Sequence, residues 1–378
     1  MSTAERYPVV VVGGGPAGLA TSAELRRRGI GHVVLERGDA AGHSWIHLYD
    51  SLTLHTGKHL SALPGMSFDR RIPIFPTRRH FVTYLQRYVE VMELPLETGR
   101  AVTSVERTDS DWIVRTPKGD ISADDVVMAT GIVASPRVPR IAGRERFRGR
   151  IIHSVEYRRP AGYEGRRVLV VGVGNSGGEI ASELATAGAN VTIAVRSGAN
   201  VVPKALVGVP IQYLAFAMRS LPAGLRRTLA GAVGKITELR RGKPVLPTPS
   251  HGPLDSIPLI GFHLVDAIKA GKVVVRGGLA SLTDVGARFA NGIEEPFDDV
   301  ILATGFTPAL APLGALIRVD EKGFALRTDR VTSADQPHLY FVGHTYDATG
   351  GLYNIGRDAK LAAARIAVTR AGARAGAS

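Results

Sequence analysis

The sequence predicts an α/β chain built from two parallel-sheet domains, and three observations predict it. Near the N-terminus, VVVVGGGPAGLATSAELRRRGIGHVVLERG reads as strand, glycine turn, helix and strand. In the middle, VLVVGVGNSGGEIASELATAGANVTIAVR reads the same way. Third, DDVVMATG and DDVILATG recur at 124–131 and 298–305, each a buried strand ending in small residues where a backbone can approach a ligand. The repeat brackets the central unit and predicts that the chain leaves one domain and re-enters it.

In the first unit Val9 to Val12 form an apolar run of the kind buried in a parallel sheet. Gly13, Gly15 and Gly18 follow at G-x-G-x-x-G spacing, with Pro16 opening the helix. The first glycine permits the tight turn, the second lets backbone approach a pyrophosphate, and the third lets helix pack on strand. Val33 to Leu35 return as a strand ending at Glu36, 23 positions after Gly13, the distance at which an acidic residue meets a ribose hydroxyl. The central unit repeats the plan with Val168 to Val171, then Gly172, Gly174 and Gly177, with Asn175 and Ser176 at the helix start. Ile180 and Leu184 stripe that helix, and Val191 to Val195 return as a strand. Here the position 24 after Gly172 is Arg196, followed by Ser197. A carboxylate suits the bare ribose of FAD or NAD, and a guanidinium suits the 2′-phosphate of NADP. The two units are therefore Rossmann-like sites for different dinucleotides.

Between Glu36 and Pro64 the chain has no helical or strand period, as in a cofactor-covering loop. Four histidines fall there (His43, His47, His55, His59), but no pair has helical zinc spacing and no carboxylate cluster joins them, so no metal site is assigned. Thr77 to Val91 reads as a helix with Phe81, Tyr84, Leu85 and Tyr88 on one face. From Ala101 to Val127 the pattern turns to short alternating strands, Trp112 to Arg115 among them. Residues 205–245 read as helical, with Leu225, Leu229, Val233 and Ile236 on one face and Arg226, Arg227, Lys235, Arg240 and Arg241 elsewhere. Such a basic amphipathic segment can lie on a membrane, but a substrate-side cover or subunit contact is the preferred reading. Lys243 to Pro258 is a Pro-rich connection, His263 to Ala270 a short helix, Lys272 to Arg276 a strand and LYFVG a buried strand. A last helix starts at Gly350, and the tail after Arg370 reads as frayed.

Composition narrows the function. At 378 residues two domains are expected. The absence of cysteine excludes a disulfide framework, a thiolate metal site and a dithiol redox centre. Lys plus Arg outnumber Asp plus Glu 47 to 34, but the charges are scattered and no nucleic-acid motif accompanies them, so nucleic acid is not an expected partner. No signal-peptide pattern precedes the first strand and no stretch suits a bilayer span, which points to a cytoplasmic protein.

The chain resembles flavin-containing monooxygenases (class B flavoprotein monooxygenases) from about Val9 to Ile366, and most of all the plant YUCCA-type branch. The resemblance is carried by GGGPAG, by LER ending at Arg37, by GHSW with Ser44 and Trp45, by GVGNSGGE and by both ATG ends. Phe147, Gly149, His153 and Tyr157 match the fingerprint F-x-G-x-x-x-H-x-x-x-[FY], where Baeyer-Villiger relatives usually carry Trp at the last position. Animal-type members carry Asn-x-x-Lys where this chain has His55, Thr56, Gly57 and Lys58; YUCCA-type members are similar to this chain in having His there.

The resemblance implies a discontinuous FAD-binding domain, 1–160 and 298–378, carrying the small antiparallel sheet. An NADPH-binding domain, 161–297, is inserted in it, with a helical insertion at about 205–260. It implies an NADPH- and FAD-dependent monooxygenase that moves one oxygen atom of O2 to a small organic substrate through a C4a-(hydro)peroxyflavin. The acceptor is a nitrogen, a sulfur or a 2-oxo acid undergoing oxidative decarboxylation. The implied cofactor contacts are Gly13, Gly15, Pro16, Gly18, Glu36, Arg37, Ser44, Trp45, Val102, Thr130 and Gly131, then Gly172, Gly174, Asn175, Ser176, Gly177, Arg196, Ser197, Thr304 and Gly305. His55 and Lys58 are the implied catalytic pair. A Baeyer-Villiger monooxygenase and a flavin-binding redox sensor or NADPH oxidase accessory protein remain as alternatives, and a homodimer is left open.

Overall fold

The computed structural model describes residues 5–249, 258–345, 347 and 349–375. The chain divides into two compact units, Met1–Ser135 with Phe306–Ser378, and Pro136–Gly305. In chain order the elements that place the site begin with β1 (Glu5–Val12), α1 (Pro16–Arg27), β2 (His32–Leu35) and α2 (Arg78–Val91). Next come β3 (Leu96–Glu97), β4 (Ser104–Arg107), β5 (Trp112–Arg115) and β6 (Ile121–Met128). The second unit contributes β7 (Arg150–His153), β8 (Arg167–Val171), α3 (Asn175–Thr186) and β9 (Asn190–Ala194). It continues with α4 (Ala223–Arg241), α5 (His263–Lys269), β10 (Val273–Arg276) and β11 (Asp299–Leu302). The first unit closes with β12 (Leu339–Phe341) and α6 (Gly351–Ala375).

The first unit has a seven-stranded sheet whose parallel part runs β3-β2-β1-β6-β12. Its valines dictate this: Val9, Val10 and Val11 are fully buried, because helices or loops cover both faces of a parallel strand. β6 is shared lengthwise. Residues 121–123 pair antiparallel with β5, and residues 126–128 pair parallel with β12. One face packs on α1, α2 and α6 through Leu19, Leu25, Phe81, Leu85 and Ile366; the other holds Trp112, Met128 and Phe341. Helix α2 starts where the Thr77 hydroxyl accepts from the backbone N–H of His80 and the His80 ring accepts from the backbone N–H of Thr77, a capping box.

The second unit has an all-parallel sheet, β10-β9-β8-β11-β7. This departs from the expected boundaries. Residues 136–160 and 298–305, expected in the first domain, lie in the second unit, whose sheet includes β7 and β11, with Asp299 opposite both Arg150 and Val168. The reason is physical: β11 is buried along its whole length and needs a partner at each edge, which β7 and β8 provide. Asp299, 1% exposed, fixes the register by accepting from Arg150 Nε at 2.8 Å and Arg166 Nε at 2.5 Å. Each unit thus owns one of the two ATG strands.

Three further departures are local. Residues 205–210 form a small hairpin before a helix at Ile211–Ala217, and only α4 is a long helix in that region. Leu225 and Leu229 are exposed on α4, while the side chains of Val233, Lys235, Ile236 and Arg240 lie outside the described ones, as do residues 250–257 of the Pro-rich connection. Helix α6 continues past Arg370 to Ala375 instead of fraying there. Among the described residues no helix is long and apolar enough to cross a membrane.

Helix α2 clamps the loop at 62–68 with two phenols. Tyr84 accepts from Leu63 N at 2.8 Å and donates to Met66 O at 2.7 Å, while Tyr88 donates to Pro64 O at 2.5 Å. Burial pushes the Tyr84 phenol up to about 12, against the lowering influence of the Leu63 N–H. A phenol that ionises near 10 when unfolded and about 12 when folded contributes its stability in full below pH 10. That contribution is lost as pH rises through the folded value, at up to about 1.4 kcal/mol per pH unit. Urea unfolding between pH 9 and pH 11.5 should show this fall. Tyr84→Phe should flatten it while losing about 1–3 kcal/mol at neutral pH for the orphaned Leu63 N and Met66 O; an unchanged slope would refute the assignment.

Candidate functional site

Two glycine turns, one at the carboxyl end of each sheet, are built alike. Gly13 has φ +112° and Gly172 φ +108°, a region closed to ordinary side chains. A Cβ on Gly13 would stand 2.6 Å from the Ala129 carbonyl oxygen, and one on Gly172 would stand 2.5 Å from that of Ala303. Each ATG strand end therefore backs its own unit's turn. A Cβ on Gly18 would come 1.8 Å from Gly13 O, and one on Gly177 would come 2.2 Å from Gly172 O. All four glycines are required by the polypeptide itself.

Gly15 and Gly174 differ. Their φ values of −84° and −72° suit any residue, and nothing lies within 4 Å of a Cβ built on either. They are the N-caps of α1 and α3, and neither helix has a side-chain cap. Uncapped N–H groups and the positive end of the helix dipole there face open space. A cradle that a Cβ would fill, lined with donors, fits a pyrophosphate.

The next strand ends carry opposite charges. Glu36, 7% exposed after β2, accepts from Gly14 N at 2.7 Å through Oε2 and from Gly38 N at 2.8 Å through Oε1. It thus ties the glycine turn to β2 and retains lone pairs for a ribose hydroxyl. Gly14 must be glycine because Glu36 Cβ lies 2.8 Å from where its own Cβ would be. Arg196 and Ser197 are exposed after β9, and Arg196 has no ion pair among the described residues.

The remaining candidates divide between open and committed groups. Arg37 is exposed; Ser44 and Trp45 lie half-buried in a short helix, His43–Ile46, with Trp45 edge-on to Phe81 at 4.6 Å. Val102 is half-buried against the first sheet. Thr130 donates to Ala309 O at 2.7 Å, Gly131 has φ +84°, Thr304 donates to Arg137 O at 2.5 Å, and Gly305 has φ +85°. Pro16 is buried at the first position of α1 and Ser176 is half-buried in α3. Asn175 is committed: its side chain donates to Pro258 O at 3.2 Å and accepts from Ile260 N at 2.8 Å.

His55 is half-buried on its loop. Lys58 is committed in a way the sequence did not suggest. Its ammonium donates to the carbonyls of Asp69 (3.2 Å), Arg70 (3.0 Å) and Ile72 (2.6 Å), so all three protons are used to hold the neighbouring turn. The fingerprint residues are packing groups: Phe147, His153 and Tyr157 are buried. His153 accepts from Val155 N through Nδ1 (3.2 Å), which leaves Nε2 to donate to Gly305 O (3.1 Å). Tyr157 donates to Glu183 at 2.9 Å. Among the described residues no group of three or more His, Cys, Asp or Glu is placed to hold a metal ion.

Comparison with known proteins follows this geometry. The family model for pyridine nucleotide-disulphide oxidoreductases matches residues 10–207. Indole-3-pyruvate monooxygenase YUCCA1 of Oryza sativa subsp. japonica is 35% identical over 308 residues, covering 79% of this chain and 76% of that protein. The flavin-containing monooxygenase from Stenotrophomonas maltophilia superposes with a TM-score of 0.75 at 25% identity, over 97% of this chain and 99% of that one. Open cyclohexanone monooxygenase superposes at 0.74 over 97% and 88%, but at 19% identity this shows the shared fold alone.

The two kinds of glycine predict opposite outcomes. Gly18→Ala and Gly177→Ala should each lose about 3 kcal/mol or more, since a backbone oxygen cannot yield. Gly15→Ala and Gly174→Ala should stay within about 1 kcal/mol of wild type, the scale of an N-cap change. Thermal unfolding of the ligand-free protein measures both; equal losses in the two pairs would contradict the cradle.

Proposed function

The chain belongs to the flavin-containing monooxygenase family of pyridine nucleotide-disulphide oxidoreductases, and on that footing we propose how its residues divide the work of FAD- and NADPH-dependent oxygenation of a small organic molecule. The observation that carries the reading is the pair of open cradles at Gly15 and Gly174, followed by Glu36 in one unit and Arg196 in the other. The first unit holds FAD: α1 N–H groups and the glycine turn take the pyrophosphate, and Glu36 takes the ribose. The second holds NADPH on the N-terminus of α3, with Arg196 and Ser197 at the 2′-phosphate. The larger domain would be discontinuous, with the NADPH unit inserted in it.

The bound cofactors supply the hydride chemistry and the activation of O2 that no side chain here can perform, and without cysteine a disulfide-reducing route is closed. The chain's own part is to bind, orient and exclude water. His55, whose imidazole can both donate and accept a hydrogen bond, is the group assigned to hold and deliver a proton beside the substrate. Lys58 serves by position, fixing the 69–72 turn under that loop through three carbonyls. The 2-oxo acid named for the rice relative makes that class the first to test; amines and thioethers follow. The same reading makes the protein a cytoplasmic enzyme, as monomer or homodimer, with O2 and a small molecule as its partners.

Mass spectrometry of products from 2-oxo acids, amines, thioethers and ketones with NADPH tests the function. Consumption of NADPH matched by H2O2 with every substrate would overturn it, and lactones or esters from ketones alone would move the chain to the Baeyer-Villiger side. Arg196→Ala should lose roughly tenfold to a hundredfold in kcat/KM for NADPH and little for NADH, as for one charge-assisted contact; equal use of both nucleotides by the wild type would refute the 2′-phosphate role. His55→Ala should leave FAD uptake and flavin reduction near wild type while raising H2O2 released per NADPH. An unchanged H2O2 ratio would return His55 to the loop's structural residues.

A further inference from the structure

At the carboxyl end of the first unit's sheet, the loop after β12 holds a buried side chain that the fold leaves unsatisfied. His344 is 2% exposed, and among the described residues neither Nδ1 nor Nε2 has a hydrogen-bond partner. Its ring stands edge-on to Phe324 at 5.9 Å and tilted on Phe341 at 5.3 Å. Only its carbonyl is engaged, accepting from Arg327 at 3.4 Å. Buried polar atoms without partners are rare, and two on one ring point to a ligand that meets them.

The place is that of the first glycine turn. Val342 N donates to Met128 O at 3.1 Å, so His344 lies just past the point where β12 ends beside β6 and Thr130. Gly343, φ +83°, would bring a Cβ 3.1 Å from the Cβ of Ala17 in the first turn of α1. The open cradle at Gly15 caps that same turn. In open α/β sheets ligands bind outside these strand ends.

Burial, more than any neighbouring charge, sets the state of the ring. Arg327 and the Arg330–Asp358 pair, 2.7 Å apart, belong to neighbouring segments. Burial, with Arg327 adding to it, holds the imidazole down to about 3. A neutral imidazole offers one donor and one acceptor. A phosphate offers acceptors only and would leave one ring nitrogen facing lone pairs; a hydroxyl or a ring amide meets both kinds.

We propose that His344 is an FAD-binding residue whose ring takes an uncharged hydroxyl- or amide-bearing part of the flavin moiety, not the phosphates or the adenosine. This rests on the assignment of FAD to the first unit. His344 belongs to no motif, and its burial is visible only in the fold.

Full-length apoprotein tests it by flavin fluorescence titration and thermal unfolding, with FAD and ADP as probes. His344→Leu, apolar and of similar size, should leave the melting temperature of the apoprotein unchanged or raised. It should weaken FAD about tenfold to a hundredfold, the scale of one or two lost hydrogen bonds, and leave ADP affinity unchanged. His344→Gln, which keeps a donor and an acceptor, should recover most of the FAD affinity and stands in if the Leu variant does not fold. Equal FAD affinity in wild type and Leu variant overturns the inference. So does an equal loss for ADP and FAD. A wild type that binds no FAD would instead sink the assignment of the cofactor to this unit.

Discussion

Everything at both strand ends depends on how closely two backbones approach. The carbonyls of Ala129 and Ala303 stand where a side chain on Gly13 or Gly172 would have to be. This contact joins neighbouring parallel strands, β1 to β6 in the first unit and β8 to β11 in the second. It sets the height of the turn, and the turn sets where α1 and α3 begin. Gly18 and Gly177 then press their helices onto the same turns, too close for any side chain between. The orientation of the open N–H groups follows from that contact, and in the first unit Glu36 adds a polar tie to the same turn.

Around these contacts the polar groups work mainly for the scaffold. Glu36 spends both oxygens on amides of its own turn, Asn175 both ends of its amide on the 258–260 segment, and Lys58 every proton on one loop. In the second unit Asp299 gathers Arg150 and Arg166 where β11 starts. A site for large cofactors needs a rigid rim, and hydrogen bonds to backbone supply rigidity that long side chains in water do not.

The sequence showed the plan of the fold well. Valine runs bounded by glycine turns have few other readings, and α2 appeared with its cap because Thr77 and the aromatic stripe both mark it. The two compact units differ from the expected boundary at 136–160 and 298–305. DDVVMATG and DDVILATG look alike because each closes a sheet of its own, and likeness alone cannot say which strands pair. Residues 205–245 were read as one helix because apolar spacing persists across a hairpin and Pro222. At the site, the glycine turns and the oppositely charged strand ends at Glu36 and Arg196 were visible, but the engagement of Lys58 and Asn175 was not. Partners 11 to 85 positions away leave no mark on a local pattern.

The contrast between Glu36 and Arg196 has a consequence for how such a protein can change over generations. Glu36 is welded into the turn it serves, so exchanging it would disturb Gly14 and Gly38 together with whatever lies on that rim. Arg196 stands in solvent with no ion pair among the described residues, and no neighbour in the fold would resist its replacement. If the second turn takes the electron donor as proposed, mutation can explore new donors there at little structural cost, whereas the first turn resists change. A lineage built on this scaffold should diversify in what feeds it reducing power long before it abandons its prosthetic group.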